Sequence, residues 1–544
     1  MYFTVTTWPA GPRADPVPVE RVHQRTGRPV LTPLTHAVLD LGPPPPCPDA
    51  FNLAAYVLQH AARLGEKTAL SLVSDQAAEH WCFARLEAAV RGTGTGLRAA
   101  GLQPGALVLM RLGNSVDFPI AYLGAIAAGL VPVPTSAQLT TPEVARMMAA
   151  LSPAAVIRDP KVASAEHPHE ISLDALRAMR DLPPVDWALG DPNRLAYVVF
   201  TSGTSGQARA VAHAHRAVWA RRMMGPGWTG LRADDRLCHA GALNWTYTLG
   251  TGMLDPWAEG AQSLILAPGT DLQALPDILR QHRATLFAAA PGVYRRMLQG
   301  VDSLALPDLR HGVSAGEKMP PPLKERWRQA TGKDVYEAFG MSECSTFISG
   351  CPAHPATGNA IGRPQPGRHV AVLGPDGPVP VNQPGEIAVH HSDPGLMLEY
   401  LNAAEATRAR FRGPWFLTGD HGQMDETGQI TYLARNDDMM NPGGFRVSPL
   451  DVEATLATFP GLTGVGVTEV EVKPDVRVIA AFYTAPSPLD ETALRVYAEQ
   501  RLAAYKQPRL YIHMPALPTS ANGKLLRRSL RAAYEDRSHD TDNR

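Results

Sequence analysis

The densest set of groups able to do chemistry lies between Thr201 and Arg209. Thr201, Ser202, Gly203, Thr204, Ser205 and Gly206 are all hydroxyl-bearing or glycine, and Arg209 follows three positions later. Glycine lets a tight, irregular loop bring its backbone N–H groups against a ligand. The hydroxyls add donors, and the guanidinium adds a permanent positive charge. Convergent amides and a cation suit the anionic oxygens of a polyphosphate. A flexible Ser/Gly linker would share the composition. Linkers, however, are not fused to a buried strand on one side and an apolar alternation on the other.

Two other stretches invite a chemical reading. Gly312 to Gly316 spells GVSAG, which matches the GxSxG turn of serine hydrolases. That turn needs a helix to begin immediately after the serine, and Pro320, Pro321 and Pro322 are expected to obstruct its first turns. A loop whose backbone lines a ligand is the better account. Gly92 to Gly96 spells GTGTG, but it lacks the third glycine of a dinucleotide fingerprint and does not follow a strand. The GxxxxGK[ST] phosphate loop is absent.

The elements that must hold the loop are legible around it. Residues 195–200, LAYVVF, are β-branched and aromatic, and AVAHAH follows Arg209; both read as strands. Upstream, 52–63 has helical spacing, 68–73 reads as strand, 85–100 as helix, 107–110 as strand, 117–128 as helix, 130–134 as strand and 142–151 as helix. That alternation predicts a parallel sheet covered by helices. A second α/β set spans about 235–339. Residues 361–391 turn strand-rich and predict a small β-subdomain, and 428–433 reads as one more strand.

Size and composition bound the rest. A chain of 544 residues exceeds one core, so about two to four domains are expected. With 51 basic and 52 acidic residues, neither nucleic acid nor an acidic surface is expected as a partner. Five scattered cysteines without a CxxC pair argue against a disulfide framework or a zinc site. The most apolar run, 118–133, is too short and too rich in proline and glycine to span a bilayer. The first residues lack a secretory pattern, and a cytoplasmic protein is expected.

TSGTSGQARAV resembles the phosphate loop of the adenylate-forming, AMP-binding enzymes: acyl-CoA synthetases, luciferases and peptide-synthetase adenylation domains. Ala208, Arg209 and Ala210 stand where that family usually has Pro, Lys and Gly, so the charge is kept with altered geometry. Further motifs follow in the family's order. YEAFGMSECS, 336–345, is similar to its YGxTE motif. The resemblance implies that Phe339 stacks on adenine, flanked by Glu337 and Ala338, and that Glu343, with Thr201, holds Mg²⁺ on the triphosphate. Ala315, Gly316 and Glu317 would line the adenine. FLTGD, 416–420, resembles W(F/Y)xTGD, which implies that Asp420 accepts both ribose hydroxyls and that Arg435 approaches the same ribose. Asp437 takes the hinge position. GGFRVSP, 443–449, resembles the loop facing the thiol acceptor, with Gly443 and Gly444 passing a pantetheine arm and Arg446 meeting a phosphate. LPTSANGKLLRR, 517–528, preceded by LAAYKQPR, resembles the terminal PxTxxGK motif. Lys524 would then reach the substrate carboxylate and the α-phosphate.

The resemblance covers about 51–530 and implies an α/β fold. The expected organisation is a proline-rich arm lying on the surface or partly disordered (1–50), a large domain of two α/β sheets plus a β-subdomain (51–434), a hinge (435–438) and a small mobile α/β domain (439–544). It implies an acyl-CoA ligase: ATP and a carboxylic acid give an acyl-adenylate, and coenzyme A then displaces AMP. GALNWTYTLGTG, 241–252, is similar to the acyl-pocket segment of benzoate-CoA ligases, which places Tyr247 on the pocket wall near Trp245, and ECSTFIS, 343–349, puts Thr346 and Phe347 where those ligases carry a histidine and an aliphatic residue. The bulky rings of Trp245 and Tyr247 favour an aromatic or short-to-medium-chain acid, although aromatic residues at such positions can equally be core. Two alternatives stay open: a stand-alone adenylation enzyme that loads a separate carrier protein, and a non-catalytic nucleotide or acyl sensor. The oligomeric state is open too, a homodimer included.

Overall fold

The computed structural model describes residues 33–201, 209–435, 438, 440, 447–473, 476–502, 504–519 and 525–542. Its largest sheet has nine strands, and six of them run parallel through its centre: Thr68–Val73, Gln262–Leu266, Arg236–His239, Leu286–Ala289, His311–Ala315 and Val335–Met341. Continuous apolar runs such as LFAA are what a parallel strand covered on both faces requires, and Leu264, Leu286, Phe287 and Val313 have no exposed surface. A second, four-stranded parallel sheet orders Val131–Pro134, Leu107–Arg111, Ala155–Arg158 and Glu170–Ser172. The two α/β sheets and the strand-rich unit expected from the sequence are all present.

Most expected elements lie within two residues of their predicted bounds. The strand Thr68–Val73 and the helix Asp117–Ala127 are examples. The first helix is shorter than expected: Leu53–Val57, followed by turns. The late strand sits two residues downstream of its expectation, at Ile430–Arg435. GTGTG is interior to the helix Phe83–Ala99, where it meets the helix Asp117–Ala127. A Cβ on Gly94 would lie 2.7 Å from Val185 Cγ1 and 3.0 Å from the Gly124 carbonyl. These glycines serve close helix packing.

Two expectations need correction. The arm is not wholly superficial: Val38–Asp40 pairs antiparallel with His369–Gly374 and becomes the edge strand of the seven-stranded β-subdomain. Leu34, Ala37 and Leu39 are buried there, and Trp219 Nε1 donates to the Pro45 carbonyl at 3.0 Å. Proline richness hid three apolar anchors. Nor do the prolines after GVSAG obstruct a helix. Pro321 and Pro322 open the helix Pro321–Thr331, where a missing N–H costs nothing. Ser314 is inside a parallel strand, fully buried, seven residues before that helix, so the hydrolase geometry is absent.

Beyond residue 447, Gly464–Lys473, Val476–Thr484 and Leu510–His513 form a separate three-stranded sheet. The helices Pro449–Leu456 and Glu491–Glu499 pack on it through Val452, Leu456, Val467, Ile479 and Ala498. No helix among the described residues is long and apolar enough to cross a membrane.

Candidate active site

Three groups of strands converge on the residues singled out by their chemistry. The first is a hairpin-like pair, Leu195–Thr201 and Arg209–Ala214, whose register sets Thr201 opposite Arg209. Both residues therefore stand at the base of the glycine- and hydroxyl-rich segment. Ser202, Gly203, Thr204, Ser205 and Gly206 themselves lie outside the described residues. A short strand, Glu399–Tyr400, pairs on the other side, with Tyr400 opposite Val211.

The second group carries Glu343, in the turn between Val335–Met341 and Ser345–Ser349. Glu343 is 7% exposed. Tyr400 Oη donates to Glu343 Oε1 at 2.6 Å. The Arg209 guanidinium lies over the Tyr400 ring, 5.0 Å from its centroid. Burial and the neighbouring Glu343 charge push the Tyr400 hydroxyl up to about 12, so it stays a donor at neutral pH. His213 supplies a second strut, its Nε2 lying 2.7 Å from the Ser342 carbonyl. Burial pulls its pKa down to about 4. A carbonyl only accepts, so this imidazole is neutral and carries its proton on Nε2. Tyr400 and His213 were not anticipated; only the place of His213 on the strand that Arg209 begins, and of Tyr400 on the strand paired with it, reveals them.

The third group is the strand pair Trp415–Met424 and Ile430–Arg435, whose register sets Asp420 opposite Arg435. Tyr432 Oη donates to Asp420 Oδ1 at 3.0 Å. The Tyr432 ring in turn lies 5.6 Å from Phe339. Tyr432 thus links the expected adenine residue to the expected ribose residues. Arg435 Nε is buried without a hydrogen-bond partner among the described residues, as a donor awaiting an oxygen of a ligand would be.

Ala315 and Ala338 sit side by side on parallel strands, with Gly316 and a half-buried Glu317 just beyond. Glu337 differs from expectation. Alternation along the strand turns its side chain to the opposite face, where it meets Lys318 at 3.2 Å, Lys324 at 2.8 Å and the Met319 N–H at 2.8 Å. Those partners hold its carboxyl below the usual range despite burial. Its side chain serves this ion cluster and is turned away from the nucleotide residues.

The pocket aromatics divide as well. The half-buried Trp245 lies over Gly316, where a Cβ would come within 2.6 Å of Trp245 Cζ2; the φ of +97° there also favours glycine. Tyr247 is core: 6% exposed, donating to the Val313 carbonyl at 3.0 Å and packed edge-on against Trp245 and His239. Phe347 is fully buried and packs edge-to-face on Phe339 at 5.4 Å. It belongs to the β-subdomain core, apart from Trp245 and Tyr247, and braces Phe339 from behind. Thr346 is buried with Oγ1 unpartnered among the described residues. Asp437, Gly443, Gly444, Arg446 and Lys524 lie outside the described residues.

A buried ion pair ties these parts together. Arg221 meets Asp255 at 2.6 and 2.7 Å and Thr251 Oγ1 at 3.1 Å, and it also bonds Ser345 Oγ. Thr251 belongs to the π-helix that follows Tyr247, and Ser345 lies two residues after Glu343.

Donor chemistry fits a nucleotide with magnesium. No three His, Cys, Asp or Glu gather among the described residues. One carboxylate beside a cationic loop base suits Mg²⁺, which takes one or two carboxylates and fills its shell from phosphates and water.

Comparison with known proteins agrees with this geometry. A family model described as AMP-binding enzyme matches residues 57–401. The benzoate–CoA ligase of Thauera aromatica is 28% identical over 535 residues, covering 92% of this chain and all of that one. The mitochondrial acyl-coenzyme A synthetase ACSM3 of Rattus norvegicus is 27% identical over 526 residues, covering 89% and 90%. An anthranilate CoA ligase solved with anthranoyl-AMP superposes with a TM-score of 0.81 at 25% identity, over 90% of this chain and 98% of that one.

Proposed function

The chain belongs to the AMP-binding enzyme family, and from that membership we propose that it joins an aromatic or short-to-medium-chain carboxylic acid to coenzyme A in the cytoplasm. It is an ATP-dependent, AMP-forming acid–thiol ligase. A carboxylate oxygen attacks the α-phosphorus, the bond to the bridging oxygen breaks, and pyrophosphate leaves. The thiol then attacks the acyl carbon, loses its proton, and AMP departs.

In this reading Arg209 and the segment it closes take the triphosphate, and Mg²⁺, held by Glu343 with Thr201, offsets charge on the phosphates. Asp420 and Arg435 orient the ribose, and Phe339 covers the adenine. Lys524, delivered by a small domain hinged at Asp437, stabilises charge developing at the α-phosphoryl group. Gly443, Gly444 and Arg446 serve the acceptor step. No side chain becomes covalently attached to the substrate.

The observation that carries the choice of acid is Trp245 lying against Gly316, since this ring closes the space next to the adenine-lining strand. Benzoate-like and C4–C8 acids should therefore support AMP formation better than palmitate. Trp245→Ala should shift preference toward longer acids. Tyr247→Ala should also cost stability, about 3–5 kcal/mol for a buried aromatic. A wild type preferring palmitate would remove the reading.

Arg209 gives a second test. Arg209→Lys should retain most activity, since the positive charge remains. Arg209→Ala should weaken ATP binding or slow adenylation by about tenfold or more, the scale of one charge-assisted contact. Isothermal titration with ATP and pyrophosphate release would show it; no change in either would remove Arg209 from the phosphate site.

A further inference from the structure

The segment Leu396–Leu401 runs between the two halves of the phosphate site and is bonded to both. Met397 N–H donates to the Glu343 carbonyl at 2.7 Å. Leu398 N–H and Leu401 N–H donate to the Ala212 and Ala210 carbonyls, each at 2.8 Å, on the strand that Arg209 begins. Tyr400 is the side chain at the centre of this strap, 1% exposed, and its own N–H is held by Thr407 Oγ1 at 2.9 Å. Its place is fixed from three sides before any ligand is considered.

A phenol hydroxyl donates one hydrogen bond and accepts others. Here the donor role is used at 2.6 Å on Glu343 Oε1. The ring beside it faces the Arg209 guanidinium, 5.0 Å from its centroid. Tyr400 therefore relays between the two charges: its ring meets Arg209 and its hydroxyl meets Glu343. Each contact has a charged member, and the hydrogen bond to Glu343 is buried, where such bonds are strongest. Arginine at this position suits the contact, because a planar guanidinium stacks on an aromatic face while keeping its N–H groups for a phosphate.

We propose that Tyr400 is a positioning residue that couples the phosphate-loop cation to the magnesium-binding carboxylate, fixing the rotamer of Glu343 and leaving its other oxygen to face the metal. It touches neither the metal nor the nucleotide. Partners of this kind orient a metal ligand, and their loss weakens metal binding without removing the ligand. The proposal rests on the reading of Glu343 as the metal carboxylate.

The test is Mg²⁺ binding in the presence of saturating α,β-methylene-ATP, measured by isothermal titration calorimetry on the full chain. Glu343→Gln, Tyr400→Phe and Arg209→Gln are compared with wild type. Tyr400→Phe should raise the Mg²⁺ dissociation constant by about tenfold at an unchanged unfolding midpoint. Arg209→Gln should raise it as well, and the double variant should fall short of the product of the two single effects. If Tyr400→Phe is too unstable to assay, Arg209→Gln alone decides, since an unchanged Mg²⁺ affinity there contradicts the relay. A Tyr400→Phe protein that binds Mg²⁺ as wild type does, while Glu343→Gln does not, overturns the proposal and leaves the metal assignment standing. Unchanged Mg²⁺ affinity in Glu343→Gln overturns the assignment itself.

Discussion

Replacing Lys524 with alanine should slow acyl-adenylate formation by about 10²–10³-fold, the loss expected when one fixed contact to developing charge is removed. Thioester formation from a supplied acyl-adenylate should be spared. The reason is the division of labour between the two parts of the chain. Glu343 stands in a turn of the nine-stranded sheet and Arg209 begins a strand of the three-stranded sheet beside it, whereas Lys524 and the Gly443–Gly444 pair both fall in the C-terminal part. The described portion of that part has its own sheet and its own apolar core. The segment containing Lys524 is closed at its base by a bridge between Thr519 and Leu525. Arg527, just beyond, is held by Glu453 through two bonds of 2.7 Å. Residues on either side of this segment are thus tied to the C-terminal part. In the proposed function Lys524 serves the first half-reaction and the glycine pair the second, so the proposal expects a rotation about Asp437 between them. Asp437→Pro should do the reverse of Lys524→Ala, impairing the acceptor step, because proline fixes φ at the pivot. Pyrophosphate release reports the first step, and coenzyme A consumption from synthetic acyl-adenylate reports the second. Equal losses in both steps for both variants would contradict the rotation.

Asp255→Ala should destabilise the protein by about 3–5 kcal/mol, because it leaves the Arg221 guanidinium buried without its counter-charge. Burial pushes the Asp255 carboxyl up while Arg221 opposes that shift, and the bond to Thr251 helps Arg221 do so. Replacing the pair together, as Arg221→Met with Asp255→Leu, should recover much of the loss, since a buried pair contributes little net stability over apolar residues of similar volume. Arg221 also bonds Ser345 and Thr251, so the single variant should loosen the Glu343 turn and the Trp245 segment together. Denaturant unfolding of the two variants measures the first effect. A single variant as stable as wild type would show that water reaches the pair.

Much of the frame was legible because strand and helix periodicities differ and glycine and proline mark the boundaries. The resemblance named Thr201 and Arg209, Asp420 and Arg435, and Ala315 and Ala338 separately, and strand register sets the members of each pair side by side. Tyr400, His213 and Tyr432 did not stand out, since a lone aromatic in a strand reads as core. Their importance comes from register: Tyr400 faces Val211 across a strand pair almost two hundred residues apart in sequence. Glu337 shows the opposite failure. It is adjacent to Ala338 and Phe339, yet alternation sends its carboxylate to the lysine-bearing helix side. Phe347 was assigned to the acid pocket from its place in ECSTFIS, but its ring went to the β-subdomain core, where it packs on Phe339. Likewise Val38–Asp40 lay within a proline-rich stretch, and no local period can reveal an edge strand of three residues.

The central claim is that this chain activates a small carboxylic acid and passes it to coenzyme A. AMP release measured across a panel of carboxylates, each with and without coenzyme A, tests it most directly. Benzoate-like or C4–C8 acids should give AMP at a rate that rises when coenzyme A is added, with the acyl-CoA thioester accumulating in equal amount. AMP and pyrophosphate formed with an acid but unresponsive to coenzyme A would contradict the claim and point to a carrier protein as acceptor. No acid-dependent AMP at all would contradict catalysis itself.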